Sequence, residues 1–330
     1  MKNIQVSIVI PTYNNETSLP GCLKAIEIQD YPKKLVEIVV ADGGSTDKTR
    51  EIAEKHNCTL VDNTKRLAEY GVALGIKKAH GEVIVILACD NELADKNYLS
   101  KIITPFILDK NIVLSYPKQD SSPSDTWMSK YINTFTDPIS HFIYWNASNT
   151  RTFKYQYQTL IQKNDYSVFS FSAVDFPLIA LAQGTAFRKN IYEKYATEGD
   201  DIFPIILMIK NGYNMAYVES AVVYHHTLET LGQFMRKQRW AFDNYLLGKQ
   251  YGANVYGEYY SVVRKIRKTI WPLYAISIVF PFAVALLEYI LTGKKEWLYH
   301  PILTFVTLYC LVAEYFRVIL LKQKDHINRK

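Results

Sequence analysis

The sequence predicts an α/β fold built on a doubly wound mixed sheet and followed by a helical, apolar C-terminal region. Three observations support this expectation. Short β-branched runs alternate with amphipathic stretches through residues 6–108. The first two runs stop at polar loops, where an open parallel sheet binds its ligands. Long apolar stretches at 270–291 and 301–321 then replace the alternation.

The elements follow in order. Val6-Ser7-Ile8-Val9-Ile10 is ended by Pro11 and followed by Thr12, Tyr13, Asn14 and Asn15, which predicts a strand at 6–10. A helix is expected over 16–28 and a second strand over 36–41, stopping at Asp42-Gly43-Gly44-Ser45-Thr46-Asp47. Glycines there let backbone approach a ligand closely, and Asp42 can accept hydrogen bonds from a nucleobase or ribose. A helix at 47–56, a short strand near 59–61, a helix at 68–79, a strand at 83–88 and a helix at 95–108 complete the alternation. Residues 120–175 have little periodicity and are rich in Ser, Asn, Tyr, Phe and Trp. No internal repeat or low-complexity segment is visible.

Pro11-Thr12-Tyr13-Asn14-Asn15 followed by Ala41-Asp42-Gly43-Gly44-Ser45-Thr46-Asp47 resembles the inverting family 2 glycosyltransferases of the GT-A fold. The likeness continues over roughly residues 4–240. Residues 81–92 look like the family's strand and DxD-type metal loop, and Gln183-Gly184-Thr185-Ala186-Phe187-Arg188 looks like its acceptor-side segment. Glu198-Gly199-Asp200-Asp201 with Asn211-Gly212-Tyr213 looks like its catalytic segment, and Ala221-Val222-Val223-Tyr224-His225 like the closing strand.

The resemblance implies donor-nucleotide contacts at Pro11, Thr12, Tyr13, Asn15, Asp42, Gly43 and Cys89, and Mg²⁺ or Mn²⁺ held by Asp90 with His225; read as residues alone, Asp90 is also an ordinary strand-end cap of the following turn and His225 a hydrogen-bonded structural histidine. It implies acceptor or diphosphate contacts at Glu92, Gly184, Thr185, Arg239 and Trp240. The last two belong to Arg236-Lys237-Gln238-Arg239-Trp240, which is similar to the QxxRW segment of processive synthases with Arg236 in place of Gln; a basic amphipathic helix on a bilayer is the other reading. Counting back from Gly212-Tyr213 places the general base at Asp201, with Asp200 beside it; read as residues alone, two adjacent acids ahead of Pro204 are also ordinary helix-capping groups. By the same likeness, 120–175, with Asp137-Pro138 and Arg151, is either a variable acceptor-side region or a structural cap.

Two departures stand out. Ala88 occupies the place of the first DxD acid, and Gly71-Val72-Ala73 stands where the family commonly has Ala-Arg-Asn. Lys65 or Arg66 is available to supply the displaced positive charge, and plain exposed loop charges are the favoured alternative for both.

Composition bounds the partners. With 38 basic and 32 acidic residues the net charge is only +6, too small to imply nucleic acid. The basic residues cluster at Arg236, Lys237 and Arg239 and at Arg264, Lys265, Arg267 and Lys268, beside apolar segments, which favours anionic lipid headgroups. Cys22, Cys58, Cys89 and Cys310 have no CxxC spacing and read as reduced thiols, and the first strand follows Met1 too closely for a cleavable leader. Each long apolar stretch is long enough for one crossing, though Pro272 and Pro281 interrupt the first and Glu314 and Arg317 sit three apart in the second. Buried or in-plane helices are the alternative. Lys322, Lys324, Arg329 and Lys330 follow the pair, so the positive-inside rule puts both outer ends in the cytoplasm, as a re-entrant or spanning hairpin.

The expected organisation is a catalytic domain at 1–230, interfacial amphipathic helices at 231–268 and two membrane helices at 269–330. The expected activity is inverting transfer from a UDP- or GDP-sugar to a lipid-linked acceptor at the cytoplasmic membrane face, in surface glycan or glycoprotein glycan synthesis. A polyprenyl- or dolichyl-phosphate sugar synthase and a catalytically silent nucleotide-sugar-binding scaffold are the alternatives.

Overall fold

β1 (Val6–Thr12) and β2 (Val36–Asp42) pair in parallel from Val6 opposite Val36 to Thr12 opposite Asp42, so both polar loops leave the sheet at one level. The structure, a computed structural model, describes residues 4–179, 181, 183–196, 201–247 and 257–321. The chain divides into two units, Met1–Ser122 with Thr150–His226, and Pro123–Asn149 with Thr227–Lys330.

In the first unit β3 (Thr59–Asp62) and β4 (Val83–Leu87) extend the parallel set on either side of the first pair. β5 (Asn91–Leu93) follows, then β6 (Ile112–Asp120), β7 (Thr159–Gln162), β8 (Ser167–Phe169), β9 (Gln183–Arg188) and β10 (Asn214–His225). Among the described residues they form one ten-stranded sheet in the order β3-β2-β1-β4-β9-β6-β10-β8-β7, with β5 on β10. The sheet is mixed because β9 runs antiparallel to both β4 and β6, whereas β10 is parallel to β6. Helices α1 (Leu19–Glu27), α2 (Thr49–Lys55), α3 (Ala68–Lys78) and α4 (Tyr98–Leu108) cross between strands, close to the sequence expectation, and α7 (Lys189–Tyr195) and α8 (Phe203–Lys210) lie between β9 and β10. The β-branched strand faces and the apolar faces of α1 and α4 meet in a core that includes Ile8, Leu23, Val85, Leu99 and Ile102, all fully buried. Such burial on both faces explains why these strands read as continuous apolar runs.

The second unit takes in α5 (Trp127–Phe135) and α6 (Pro138–Tyr144), which the weak periodicity of 120–175 did not reveal. Their starts are locally encoded: the Thr126 hydroxyl accepts from Ser129 N–H, and Asp137 accepts from Ile139 and Ser140 N–H with Pro138 in the first turn. Asp137 therefore has a capping role. α9 (Leu231–Leu246) opens on a capping box between Thr230 and Gln233. α10 (Val262–Ile276), α11 (Val279–Thr292) and α12 (His300–Tyr315) complete the unit. Met128 and Tyr131 of α5 pack with Phe234, Trp297 and Leu303. His300 is held at both ring nitrogens, 2.8 Å from the Tyr131 hydroxyl and 2.9 Å from that of Tyr274.

The apolar region differs in detail from two plain spans. Lys295–Leu320 is long and apolar enough to cross a membrane, but α10 and α11 meet at 99°. The break lies between Pro272, which α10 accommodates, and Pro281, which sits in the first turn of α11. There Ile278 adopts φ +57°, a conformation that a β-branched residue resists and that ends a straight helix. The basic cluster on α10 is also less available than expected. Arg264 is buried with its guanidinium 4.5 Å from the Tyr144 ring, Arg267 lies 5.6 Å from the Trp145 ring and Lys268 5.4 Å from the Tyr245 ring, leaving Lys265 exposed.

Candidate active site

The loops after β1 and β2 are laced together. Gly43 N–H donates to the Thr12 carbonyl at 2.8 Å, Asn14 N–H donates to Ser45 Oγ at 2.8 Å, and Thr46 N–H donates back to Asn14 Oδ1 at 2.8 Å. The Asn15 side chain donates to Thr12 Oγ1 and the Tyr13 carbonyl, so its amide shapes the loop. Asp42 is fully buried; its Oδ2 accepts from Gly44 N–H, Ser45 N–H and, at 3.0 Å, Arg50 Nη1, while Oδ1 accepts from the Ser45 hydroxyl. Burial pushes the Asp42 carboxyl up, but the Ser45 and Arg50 donors outweigh it and hold it below the usual carboxylate value. A carboxylate offers about four acceptor positions, and these four bonds turn Asp42 inward as the organiser of the glycine loop.

Pro11 and Thr12 are likewise buried, which leaves Tyr13 as the partly exposed wall. A Cβ at Gly43 would lie 3.1 Å from that of Tyr13, so the close approach of the two loops favours glycine. Arg66, at φ +55°, places its guanidinium 5.1 Å from the Tyr13 ring centroid with Nη1 3.5 Å from the phenol oxygen. Val72 is buried, so of these two positions it is Arg66 that brings positive charge to the loop, while Lys65 lies over Tyr70.

After β4 the chain turns through Ala88, Cys89 and Asp90. Asn91, only 1% exposed, holds this turn: its Oδ1 accepts from Ala88 N–H at 3.0 Å and its amide donates to Gln183 Oε1 at 2.9 Å. β5 then runs back along β10 with Asn91 opposite His225, and His226 N–H donates to the Asp90 carbonyl at 2.9 Å. As a result His225 Nε2 lies 3.7 Å from Asp90 Oδ2, with the two side chains 13% and 34% exposed. Glu92 points to the neighbouring imidazole, its Oε2 2.9 Å from His226 Nε2. Burial, then the charge of Asp90, pushes the Cys89 thiol up to about 12, so it is a neutral neighbour rather than a thiolate ligand.

An oxygen and an imidazole nitrogen, both partly exposed, fit Mn²⁺ or Mg²⁺ as a two-residue donor set. Among the described residues no group of three His, Cys, Asp or Glu converges, so phosphate oxygens and water would fill the remaining positions.

On the acceptor side, Gly184 has φ +77° and its carbonyl accepts from the Tyr98 hydroxyl at 2.6 Å; a Cβ there would fall 2.3 Å from that oxygen. Thr185 is 1% exposed. Asp201 stands one residue outside Ile202, the cap of α8 (Phe203–Lys210), and Ile202 makes no side-chain capping bond. Asp200, with Glu198 and Gly199, lies outside the described residues. Arg239 and Trp240 are on α9 in the second unit. There Arg239 Nε is engaged by the buried Glu314, which also takes Arg317 Nε at 2.6 Å, while Arg317 reaches buried Asp243. Arg50 and Tyr98 were not singled out from sequence, and Gln183 only as the first residue of its segment: Gln183 and Tyr98 act through partners 92 and 86 residues away, and Arg50 reaches Asp42 only through the geometry of the glycine turn.

A mixed sheet with a glycine turn after β2 and an acidic turn after β4 defines the GT-A class of fold. A mannosyltransferase of Pyrobaculum calidifontis, solved in complex with GDP-mannose and Mn²⁺, shares that fold with a TM-score of 0.55 at 16% identity, over 96% of this chain and 88% of its own. Residues 7–176, about half of the sequence, match the glycosyl transferase family 2 profile, and the chain belongs to that family. A glucuronosyltransferase of Methanococcus voltae acting on dolichyl N-acetyl-α-D-glucosaminyl phosphate is 42% identical over 88 residues. That match covers 24% of this chain and 27% of the relative, so the chain spans less than a third of that relative's length. The O-antigen chain rhamnosyltransferase RfbN of Salmonella typhimurium is 25% identical over 249 residues, 71% of this chain and 70% of its own.

Proposed function

We propose that the chain is an inverting glycosyltransferase that moves a sugar from a UDP- or GDP-sugar to a lipid-linked acceptor at the cytoplasmic face of a membrane, in surface glycan or glycoprotein glycan synthesis. The observation that carries the reading is the Asp90–His225 pair at the strand ends, in the same sheet as the laced glycine loop. The names of the relatives agree, one acting on a dolichyl-linked sugar and one on an O-antigen chain.

In this reading Tyr13, Arg66 and the Gly43 turn receive the nucleotide, while Asp42 fixes the turn's shape from beneath. Asp90 and His225 would hold a divalent ion, which when bound would supply charge to stabilise a departing diphosphate. The Asp201 carboxylate takes the proton of the acceptor hydroxyl as that oxygen forms a bond to the anomeric carbon. The bond to the diphosphate breaks on the opposite side and the diphosphate leaves with the electron pair, so the sugar inverts.

Membrane attachment rests on the second unit. Lys295–Leu320 has the length and composition to span, and α11 exposes Phe280, Phe282, Leu287 and Ile290. The test is transfer of radiolabelled sugar from a panel of UDP- and GDP-sugars to extracted lipid, with chromatography of the product. Labelled lipid of inverted anomeric configuration is expected. Nucleotide binding without transfer would leave the scaffold reading, and label on a bare polyprenyl phosphate would make the chain a lipid-phosphate sugar synthase.

A further inference from the structure

A polar cavity of about 110 Å³ opens in the first unit between the 150–155 turn, the β7–β8 hairpin and β10. Its size separates it from a nucleotide site, since pockets for drug-sized ligands and cofactors run to about 300–1,000 Å³. Along β6 and β10, Tyr116 is opposite Tyr217 and Asp120 opposite Tyr224, so the cavity lies four residues, about 13 Å, before the strand ends that carry His225. A group bound here is therefore not the one being glycosylated.

The lining is chemically mixed. Phe169 and Tyr217, each 6% exposed, provide aromatic surface with ring centroids 6.3 Å apart. The Tyr217 phenol and the Thr150 hydroxyl are buried beside each other, and Thr159, Gln162 and Ser167 add hydroxyl and amide groups to the lining. Arg151 and Lys154 supply positive charge on one side. Arg151 is only 15% exposed and is aimed by Asp120 at 3.5 Å. The register of β10 shifts between Val218 and Val222, and within that irregular stretch Glu219 joins the lining. Aromatic faces with hydroxyl and amide groups suit a sugar ring. The planar Arg fork suits a carboxylate, whereas Glu219 opposes the denser charge of a phosphate.

We propose that this cavity is a carbohydrate subsite for one acidic pyranose, a sugar ring bearing a carboxylate, in the acceptor glycan, at a unit preceding the one that is glycosylated. The acceptor role rests on the glycosyltransferase reading above; binding of the ring is independent of it.

The test titrates the purified full chain in detergent with D-glucuronate, D-glucose and inorganic phosphate by calorimetry, and separately with UDP and GDP. Saturable glucuronate binding is expected, tighter than either glucose or phosphate. Lys154→Gln is expected to weaken it about fivefold, as for a partly exposed charge pair of about 1 kcal/mol, and Glu219→Gln to tighten it. Melting temperature and nucleoside diphosphate affinity should not change in either variant. Failure of glucuronate to saturate, equal binding of glucose or phosphate, or indifference to Lys154→Gln would overturn the subsite. If sugar transfer is seen while glucuronate does not bind, the subsite falls and the enzyme stands. If glucuronate binds but neither nucleoside diphosphate does, the acceptor role falls with the activity.

Discussion

Asp90 Oδ2 and His225 Nε2 lie 3.7 Å apart because β5 turns back along β10 with Asn91 opposite His225, and because His226 N–H donates to the Asp90 carbonyl. The pairing is thus fixed by backbone, and Asn91 secures the turn through Ala88 and Gln183. With Ala88 in place of a first acid, Asp90 is the carboxylate of that turn.

Chelation of divalent ions should abolish transfer, and Asp90→Ala should lower it by about 10²–10³-fold, the loss typical of removing one group that stabilises developing charge. Mn²⁺-dependent tightening of UDP or GDP should disappear in the same variant, with the melting temperature unchanged. Full transfer in excess chelator would remove the metal from the reading.

The Asp42 carboxyl predicts an acid-side instability. Burial raises its pKa, but donation from Ser45 and Arg50 brings the net folded value below the ordinary one. The unfolded chain therefore binds more protons in the interval between the two values. The stabilisation is complete above the unfolded value, near 3.9, and is lost as pH falls through the folded value. Asp42→Asn should cost about 1.5–3 kcal/mol at neutral pH, the worth of hydrogen bonds to a charged group, with the gap to the parent closing below about pH 4. Parallel denaturant titrations at pH 7 and below pH 4 would measure both; a gap independent of pH would place the stabilisation elsewhere.

Much of the first unit was legible because its strands are buried on both faces and end at polar loops, so period and punctuation agree at β1, β2 and β4. The inward role of Asp42 was not legible, since Arg50 and Ser45 compete for its oxygens with any ligand and the competition depends on loop geometry. α5 and α6 were missed because their short apolar faces pack on residues far along the chain, as Met128 and Tyr131 do on Trp297 and Leu303. The interruption expected within 270–291 from Pro272 and Pro281 falls at Ile278, between the two prolines. The Glu314 partner of Arg239 was not legible either, because it lies 75 residues along the chain.

The charge network of α9 and α12 should be a stability element. The Glu314 side chain is fully buried between Arg239 and Arg317. Glu314→Leu leaves those guanidinium groups without that partner and should destabilise the chain by about 3–5 kcal/mol, the usual cost of breaking a buried pair. Thermal unfolding in detergent would read it. A neutral result would mean that Asp243 and solvent satisfy the arginines.

Attachment to lipid should depend on the apolar face of α11. A chain ending at Tyr260 would also uncover Met128, Tyr131 and Phe234, which pack on Trp297 and Leu303, so point substitutions are the cleaner test. Leu287→Lys with Ile290→Lys alters two exposed side chains, and each lysine costs about 2.5–3.5 kcal/mol at the centre of a membrane helix. Flotation with liposomes should fall sharply while UDP or GDP binding persists; unchanged flotation would assign attachment to Lys295–Leu320 alone.

Asp201→Asn should keep donor binding and lose transfer. Asp201 stands one position outside Ile202, the cap of α8, so a helix-cap role and a general-base role make different predictions for it. Asn preserves the size of the side chain and much of its hydrogen bonding while removing its basicity. Loss of a general base typically costs about 10²–10⁴ in rate, whereas loss of a helix cap costs about 1 kcal/mol of stability and leaves chemistry alone. Turnover, nucleotide affinity and melting temperature measured together separate the two. A drop in turnover of about 10²-fold or more with the other two unchanged assigns the base to Asp201. A folded variant with near-normal transfer moves the base to Asp200 or Glu198, its neighbours in the same acidic segment.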